Sequence, residues 1–263
     1  CSRAFSMHPH GVEYLKASEG ADYADGVAAS DKPGAGVAPG GSFLYKWKAT
    51  ERSGPGPSDA DTVPWLYHSH VDEGRDVASG LLGLILVSRR GAGGAEGGGR
   101  VGRPPSVDRE LVVLFKVFDE SASWYLEHNV ATYTKGVAAV RERCAADGEE
   151  AEEEAPYCEA FAEANMKHAI NGYMFDNNPY LTMKVGQRVR WYVLDLGTEV
   201  DMHGAIWNGN TVLQQGARRD QLELMPASMQ TAEMVVDNPG RWMFKCQVTD
   251  HSLAGMIATY RVD

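Results

Sequence analysis

The chain has 263 residues, 43% of them hydrophobic, and a formal charge of 25 − 36 = −11. That length makes one large domain or two ordinary ones, either able to bury a core. The acidic balance argues against a general nucleic-acid binder, four Cys are too few for a disulfide scaffold, and the longest apolar run, around Gly80 to Val87, is too short to cross a bilayer.

The chain opens on Cys1 rather than Met and reads as an excised or mature piece. Runs of strand length, bounded by Gly, Pro or Asp, predict strands over Ser42–Ala49, Trp65–His70, Leu81–Ser88, Glu110–Val117, Leu181–Met183, Arg188–Leu194, Ala232–Val236, Trp242–Val248 and Ile257–Val262. Short strands at this spacing point to an all-β fold of sandwiches. Arg89–Pro105, rich in Gly and with two Pro, reads as a linker. The segment Val137–Asn165 carries the acidic run Glu149–Glu154, a solvated helix or loop, with a partner-binding tail as the alternative. Cys144 and Cys158 flank that run and form either a disulfide, if the protein is secreted, or two free thiols.

The two sides of the linker look like copies of one unit. Trp65-Leu66-Tyr67-His68-Ser69-His70 parallels Trp242-Met243-Phe244-Lys245-Cys246-Gln247. Ser79-Gly80-Leu81 parallels Ala254-Gly255-Met256, and Met7-His8 parallels Met202-His203. The expectation is two sandwich domains, residues 1–103 and 104–263, with the first lacking N-terminal strands because its first landmark falls at residue 7.

Cys246-x4-His251-x4-Met256, with His203 upstream, carries the sharpest chemistry. A thiolate, two imidazoles and a weak axial thioether make a blue-copper electron-transfer site. The spacing has Cys246 end a strand, a short loop return His251, and Met256 open the next strand. His8-Pro9-His10 and His68-Ser69-His70 hold half of the eight His. Residues i and i+2 of a strand share a face, so each motif aims two metal-binding imidazoles at one point.

These residues resemble the ceruloplasmin-type multicopper oxidases, whose plastocyanin-like (cupredoxin) Greek-key domains also form the A domains of coagulation factors V and VIII. The resemblance runs through Phe5-Ser6-Met7-His8-Pro9-His10-Gly11, Tyr67-His68-Ser69-His70-Val71-Asp72, Ala78-Ser79-Gly80-Leu81-Leu82-Gly83, Asp119-Glu120, Ser123-Trp124-Tyr125-Leu126-Glu127 and Ile170-Asn171-Gly172-Tyr173. It ends in Glu199-Val200-Asp201-Met202-His203, Thr249-Asp250-His251 and Ala254-Gly255-Met256. The Gly/Ala-rich insertions depart from the vertebrate members.

The resemblance implies copper at both places. His203, Cys246, His251 and Met256 match a type 1 copper that takes electrons from substrate. His8, His10, His68 and His70 match the first-domain half of the trinuclear cluster that reduces O2 to water. The other four His of the family's cluster flank a type 1 set, but here those places hold Lys245, Gln247, Ile206 and Asn208. The expectation is therefore the front part of a longer oxidase, with further cupredoxin domains beyond Asp263. Alone, it binds type 1 copper and does not turn over O2.

For the substrate, the resemblance implies acids beside the type 1 site that bind Fe2+. Carboxylates are hard donors that favour Fe3+. Glu199, Asp250 and Glu120 fill three such positions, while Tyr125 stands where the family usually has His. An organic-substrate oxidase of laccase type, a non-catalytic copper-binding A-domain module and a simple electron-transfer cupredoxin are the alternatives. The family also implies a Ca2+ site between Lys16 and Asp31, where Ser30 replaces an acid and Asp22 and Asp25 offer substitutes. Expected partners are Fe2+ or a small reductant, O2, the further domains and an iron permease. An extracellular or cell-surface location rests on the resemblance alone, since no Asn-x-Ser/Thr sequon is present.

Overall fold

A computed structural model describes residues 2–92, 106–133, 144, 149–179 and 181–263, with side chains omitted for residues 149–156. The expected boundary at 103/104 and most of the expected linker lie outside the described residues.

In the front unit, β1 (His8–Pro9), β2 (Glu13–Tyr14), β3 (Trp47–Lys48) and β4 (Thr62–His68) precede α1 (Glu73–Ala78) and β5 (Leu82–Ser88). They form a three-stranded sheet ordered β1-β4-β5 and a β2-β3 ribbon. Burial alternates along β4, as a half-covered strand requires. Pro64 is tolerated within it because the two-residue β1 pairs only with Tyr67 and His68.

The rear unit runs β6 (Arg109–Asp119), α2 (Leu126–Tyr133), α3 (Glu149–Asn165), β7 (Met166–Ile170), β8 (Leu181–Met183), β9 (Arg188–Asp195), β10 (His203–Trp207), β11 (Val212–Gln214), β12 (Ala217–Arg219), β13 (Gln221–Leu224), β14 (Met229–Val235), β15 (Gly240–Cys246), α4 (Thr249–Leu253) and β16 (Ile257–Val262). Sheets ordered β12-β11-β14-β9-β6-β7 and β13-β10-β15-β16-β8 enclose one core. Trp191, Trp207, Phe244 and Tyr260 interlock in it with ring centroids 5.1–6.1 Å apart. Cys246 and Met256 belong to this core and are fully buried.

Strand β9 separates the units by its pleat. Val189, Trp191 and Val193 enter the rear core. Arg190, from the alternate set, is buried and pairs with Asp61 of the front unit and Glu233 of β14. Leu194 and Leu196 meet Leu66 and Val77 of the front unit in a second apolar cluster. This seam holds the two units together and fixes where their sites stand relative to each other.

Several expected elements change. Ser42–Ala49 contributes only β3, because its backbone and rings find non-ladder partners: Ser18 Oγ accepts from Lys46 N, and the Trp47 indole donates to Ser18 O. The strand expected over Trp65–His70 is Thr62–His68, and the one over Trp242–Val248 stops at Cys246. The Val137–Asn165 segment holds α3, while the side chains of Glu149–Glu154 lie outside the described residues. Cys144 and Cys158 form a disulfide with Cα atoms 5.6 Å apart. Strands β1, β2, β7 and β10–β13 lie outside the expected runs; Gly204 interrupts the pattern in β10, where a Cβ would come within 3.1 Å of Gln247 Cβ.

The internal repeat holds, but the ladders correct its register. His8 pairs with His68, whereas Ile206 pairs with Lys245, three residues beyond Trp242 as His68 is beyond Trp65. His8 is therefore the counterpart of Ile206, not of His203. The glycines agree: Gly11 and Gly209, each three residues further on with φ of +70° and +80°, are both places where a Cβ would strike the equivalent Trp ring, Trp65 or Trp242.

Candidate metal centre

Two strands, one helical turn and the residue just before a third strand build the rear site. His203 opens β10, Cys246 ends the adjacent β15, and His251 sits in α4 rather than in a loop. The turn is pinned from both sides: Cys246 N donates to Met256 O at 3.0 Å, and Met256 N donates to His251 O at 2.9 Å. His203 Nδ1 and His251 Nδ1 lie 3.0 Å apart, each 3.7 Å from Cys246 Sγ. Two imidazoles meeting through the same ring atom need a shared proton or cation. The triangle is the size a first-row ion spans with bonds of about 2.0–2.3 Å. Cys246 is the free cysteine among the described residues, and this His2Cys set with a fully buried Met256 beside it fits copper by its donor chemistry.

The electrostatics suit a metal. Burial, reinforced by His203 and His168, pushes the His251 imidazole down to about 4, so at pH 7 it is neutral and one ring nitrogen has its lone pair free. Burial holds the Cys246 thiol above its ordinary range, so a metal must displace its proton. Behind the site, His203 Nε2 lies 3.3 Å from Asp201 Oδ1. Asp201 also accepts from Val117 N at 2.6 Å and Thr198 N at 3.0 Å. Burial would raise the Asp201 carboxyl, but the His203 bond and the Lys116 ammonium outweigh it and hold it low. Asp195, buried with neither oxygen hydrogen-bonded, is pushed up to about 8 by burial and by Asp201. Asp201, hydrogen-bonded behind His203, is the carboxylate that fixes the tautomer and orientation of this candidate ligand.

The front site gathers both His-x-His motifs, though by strand ends rather than within strands: His10 follows β1 and His70 follows β4. The rings of His8, His10, His68 and His70 approach with centroids 5.2–5.8 Å apart. His8 Nδ1 bonds Glu19 O and His68 Nδ1 bonds Ser69 O, leaving Nε2 of each for a ligand. His10 Nε2 and His68 Nε2 are 3.2 Å apart. Burial, followed by the neighbouring His68, lowers His10 to about 4. Glu73, from α1, places one oxygen 3.6 Å from His68 Nε2 and the other 3.6 Å from His70 Nε2.

The expected substrate acids are less tightly gathered. Asp250 adjoins His251 in α4, and Glu199 is exposed between β9 and β10. Glu120 accepts from Asn129 Nδ2 at 3.0 Å and, with Tyr125, lines a 580 Å³ cleft between the units. Among the described residues, the sets of three His, Cys, Asp or Glu ligand atoms within 4.8 Å of one another are His203–Cys246–His251 and Asp195–Asp201–His203, so neither the three acids nor the four front imidazoles form such a set. The proposed Ca2+ substitutes are engaged otherwise: the Lys32 ammonium pairs with both Asp22 and Asp25, and Lys16 also pairs with Asp25. A pair of ammonium groups thus stands where a cation was expected, and Ser30 and Asp31 are exposed in a 3-10 turn.

Sequence reasoning missed four residues. Asp201 lies two before His203, and i, i+2 spacing was its available signal. His168, whose ring centroid is 5.0 Å from that of His251, and Glu73 and Asp76 had no local signal. Replacing Met256 by Leu is expected to keep copper bound and raise its reduction potential, because the weak axial donor is lost while the His2Cys triangle stays. Redox titration of the copper-loaded chain measures this.

Residues 152–263 match the family profile described as Multicopper oxidase. The whole chain is 40% identical over 262 residues to human Ferroxidase HEPHL1, covering 21% of that protein. It is 40% identical to human Hephaestin and 37% to human Ceruloplasmin over 99% of the chain, covering 21% and 23% of those proteins. The chain thus spans about a fifth of the length of these curated relatives. A solved multicopper oxidase superposes over 100% of the chain and 71% of its own with a TM-score of 0.63 at 19% identity, and the oxidase mgLAC with 0.64 at 18%, which establishes the cupredoxin sandwich fold.

Proposed function

We propose, for a chain that belongs to the multicopper oxidase family, that it is the front part of an oxidase that removes single electrons from Fe2+ at the rear site and delivers them to O2 at a trinuclear cluster. The observation that carries this reading is the complementary furnishing of the two units. In the corrected register, the rear unit has His203, Cys246 and Met256 where the front unit has Phe5, Ser69 and Leu81. The front unit has His8, His10, His68 and His70 where the rear unit has Ile206, Asn208, Lys245 and Gln247. One fold thus carries an electron port in one copy and half of a cluster in the other. The remaining imidazoles come, in this reading, from further cupredoxin domains.

Copper, when bound, supplies the one-electron couple. The protein's own residues do the rest. Cys246 and Met256, fully buried, exclude water from the ion, and Asp201 orients His203. His251, only partly buried, is the ligand nearest solvent, and Asp250 beside it offers the substrate cation a carboxylate. Glu199 and Glu120 are the other proposed Fe2+ carboxylates. Residues 1–103 and 104–263 are the proposed domains. The Cys144–Cys158 disulfide favours an extracellular or cell-surface setting. An iron permease is the proposed recipient of the product.

A second reading is favoured by the 580 Å³ cleft lined by Tyr125, Tyr173 and Met174, which is large enough for an organic reductant. One experiment separates the two. In the full-length oxidase, Glu199→Ala with Asp250→Ala is expected to lower kcat/KM for Fe2+ by about 10–100-fold, the scale of lost ligand-shell contacts, and to leave oxidation of an aromatic amine unchanged. Unchanged iron kinetics would remove both acids from the mechanism and favour the organic reductant.

A further inference from the structure

Helices α1 and α4 occupy the same place in the repeat, each following the metal-bearing strand end and preceding the last strand of its unit. In the rear unit α4 delivers His251 to Cys246. In the front unit α1 delivers Asp76 to Ser69, the counterpart of Cys246. The equivalence is visible in the backbone: Ser69 N donates to Leu81 O at 3.0 Å as Cys246 N donates to Met256 O at 3.0 Å. The place that holds a metal triangle in one copy holds a hydrogen-bonded hub in the other.

Asp76 is 1% exposed, and its carboxylate joins the N-terminus of its own helix to Ser69 at the end of β4 and to Trp124 of the rear unit. Its Oδ2 accepts from Ser69 Oγ at 2.6 Å and from Asp72 N at 3.2 Å. Its Oδ1 accepts from Trp124 Nε1 of the rear unit at 2.8 Å. Ser69 Oγ in turn accepts from Ser6 N at 3.1 Å, and Ser6 Oγ accepts from His70 N at 2.9 Å. Ser6 and Ser69 each lie within two residues of a ligand-bearing motif, Ser6 before His8 and Ser69 between His68 and His70. Trp124 is itself held between the guanidinium groups of Arg3 and Arg75, 3.7 and 4.7 Å from its ring.

We propose that Asp76 is the positioning residue of the front half-site: through Ser69 and Ser6 it sets His8 and His10 against His68 and His70, and through Trp124 it locks that arrangement to the unit that carries the electron port. The physical reason is that β1 is held to β4 by a two-residue ladder and one further backbone bond, His10 N to Leu66 O at 2.8 Å, which leaves the Ser6 and His70 ends of the two motifs to be fixed by side-chain bonds. A buried, charge-assisted hub with three donors supplies the missing constraint. The proposal rests on the reading of the four His as metal ligands, and its test separates the two.

The test titrates Zn2+ into the chain after one equivalent of copper has filled the Cys246 site. The parent is expected to take up one Zn2+ at the four imidazoles. Ser69→Ala and Asp76→Ala are expected to weaken that uptake by about 10–100-fold, with the visible absorption of the rear copper unchanged. Ser69→Thr, which keeps the hydroxyl, is expected to recover parent affinity, and Trp124→Phe to weaken it less than Asp76→Ala does. Should Asp76→Ala fail to fold, the Ser69 pair decides. A parent that takes up no Zn2+ overturns the ligand reading, and the proposal with it. A parent that binds Zn2+ while Ser69→Ala and Asp76→Ala bind equally well, losing only thermal stability, overturns the positioning role alone.

Discussion

Cys246→Ser is expected to abolish the intense visible absorption of the copper-loaded chain and to weaken copper binding by at least about 100-fold. The thiolate is the soft donor of the set, and its charge transfer to copper is the source of the colour. The loss of a ligand should exceed the 10–100-fold cost of losing an outer partner. Ser in its place is a neutral hydroxyl in a site with no exposure, unable to compensate the ion's charge. The fold should survive, since Cys246 N keeps its bond to Met256 O and the aromatic core around it is untouched. The measurement is an absorption spectrum and a copper stoichiometry on samples matched for folded content. A surviving band would mean that the ion sits elsewhere.

Asp201→Ala is expected to cost about 3 kcal/mol of folding stability and 10–100-fold in copper affinity. Asp201 is 1% exposed and collects Val117 N, Thr198 N and His203 Nε2 on one carboxylate. Removing it strands the buried Val117 N–H, takes the acceptor from the part-buried Thr198 N–H, releases the His203 ring and leaves the buried Lys116 ammonium, 3.9 Å away, without its nearest charge. Asp195 offsets part of this: freed from its neighbour's charge, it ionises more readily and pairs with Lys116. Urea unfolding and copper competition read the two losses separately, and Asp201→Asn, which keeps an acceptor, should lose less of both. The pH dependence carries a sign. The Asp201 carboxyl is held below its ordinary range, so its contribution is present above the unfolded value and disappears as pH falls through the depressed one. Asp195 works in the opposite direction, its burial costing stability as pH rises from about 4 to about 8 in the metal-free chain. Unaltered stability and affinity in Asp201→Ala would reduce the cluster to incidental packing.

The metal chemistry was legible in the sequence because it is written in short intervals. Cys246 ends a strand, His251 lies in the following turn and Met256 immediately precedes the next strand, and each His-x-His spans three residues. Local spacing of that kind survives translation into three dimensions whatever surrounds it. The sandwich was legible for the same reason, since β4, β9 and β16 carry period-2 or continuous apolar patterns that need a sheet to bury them. The register of the repeat was not. Met7-His8 and Met202-His203 look alike as strings, yet ladder pairing places His8 opposite His68 and Ile206 opposite Lys245.

What the sequence by itself determined was the β-sandwich class and a set of candidate metal-binding side chains, of which His203, Cys246 and His251 come together in the structure. Only the tertiary structure decided the register in which the two units match, that Lys32 pairs with the acids offered for calcium, and that Asp76 bonds Ser69 and Asp201 bonds His203. The reason is physical. Donor identity is a property of single residues, whereas a buried carboxylate's role depends on which distant N–H and O–H groups have no other partner, and that is settled when the sheets close.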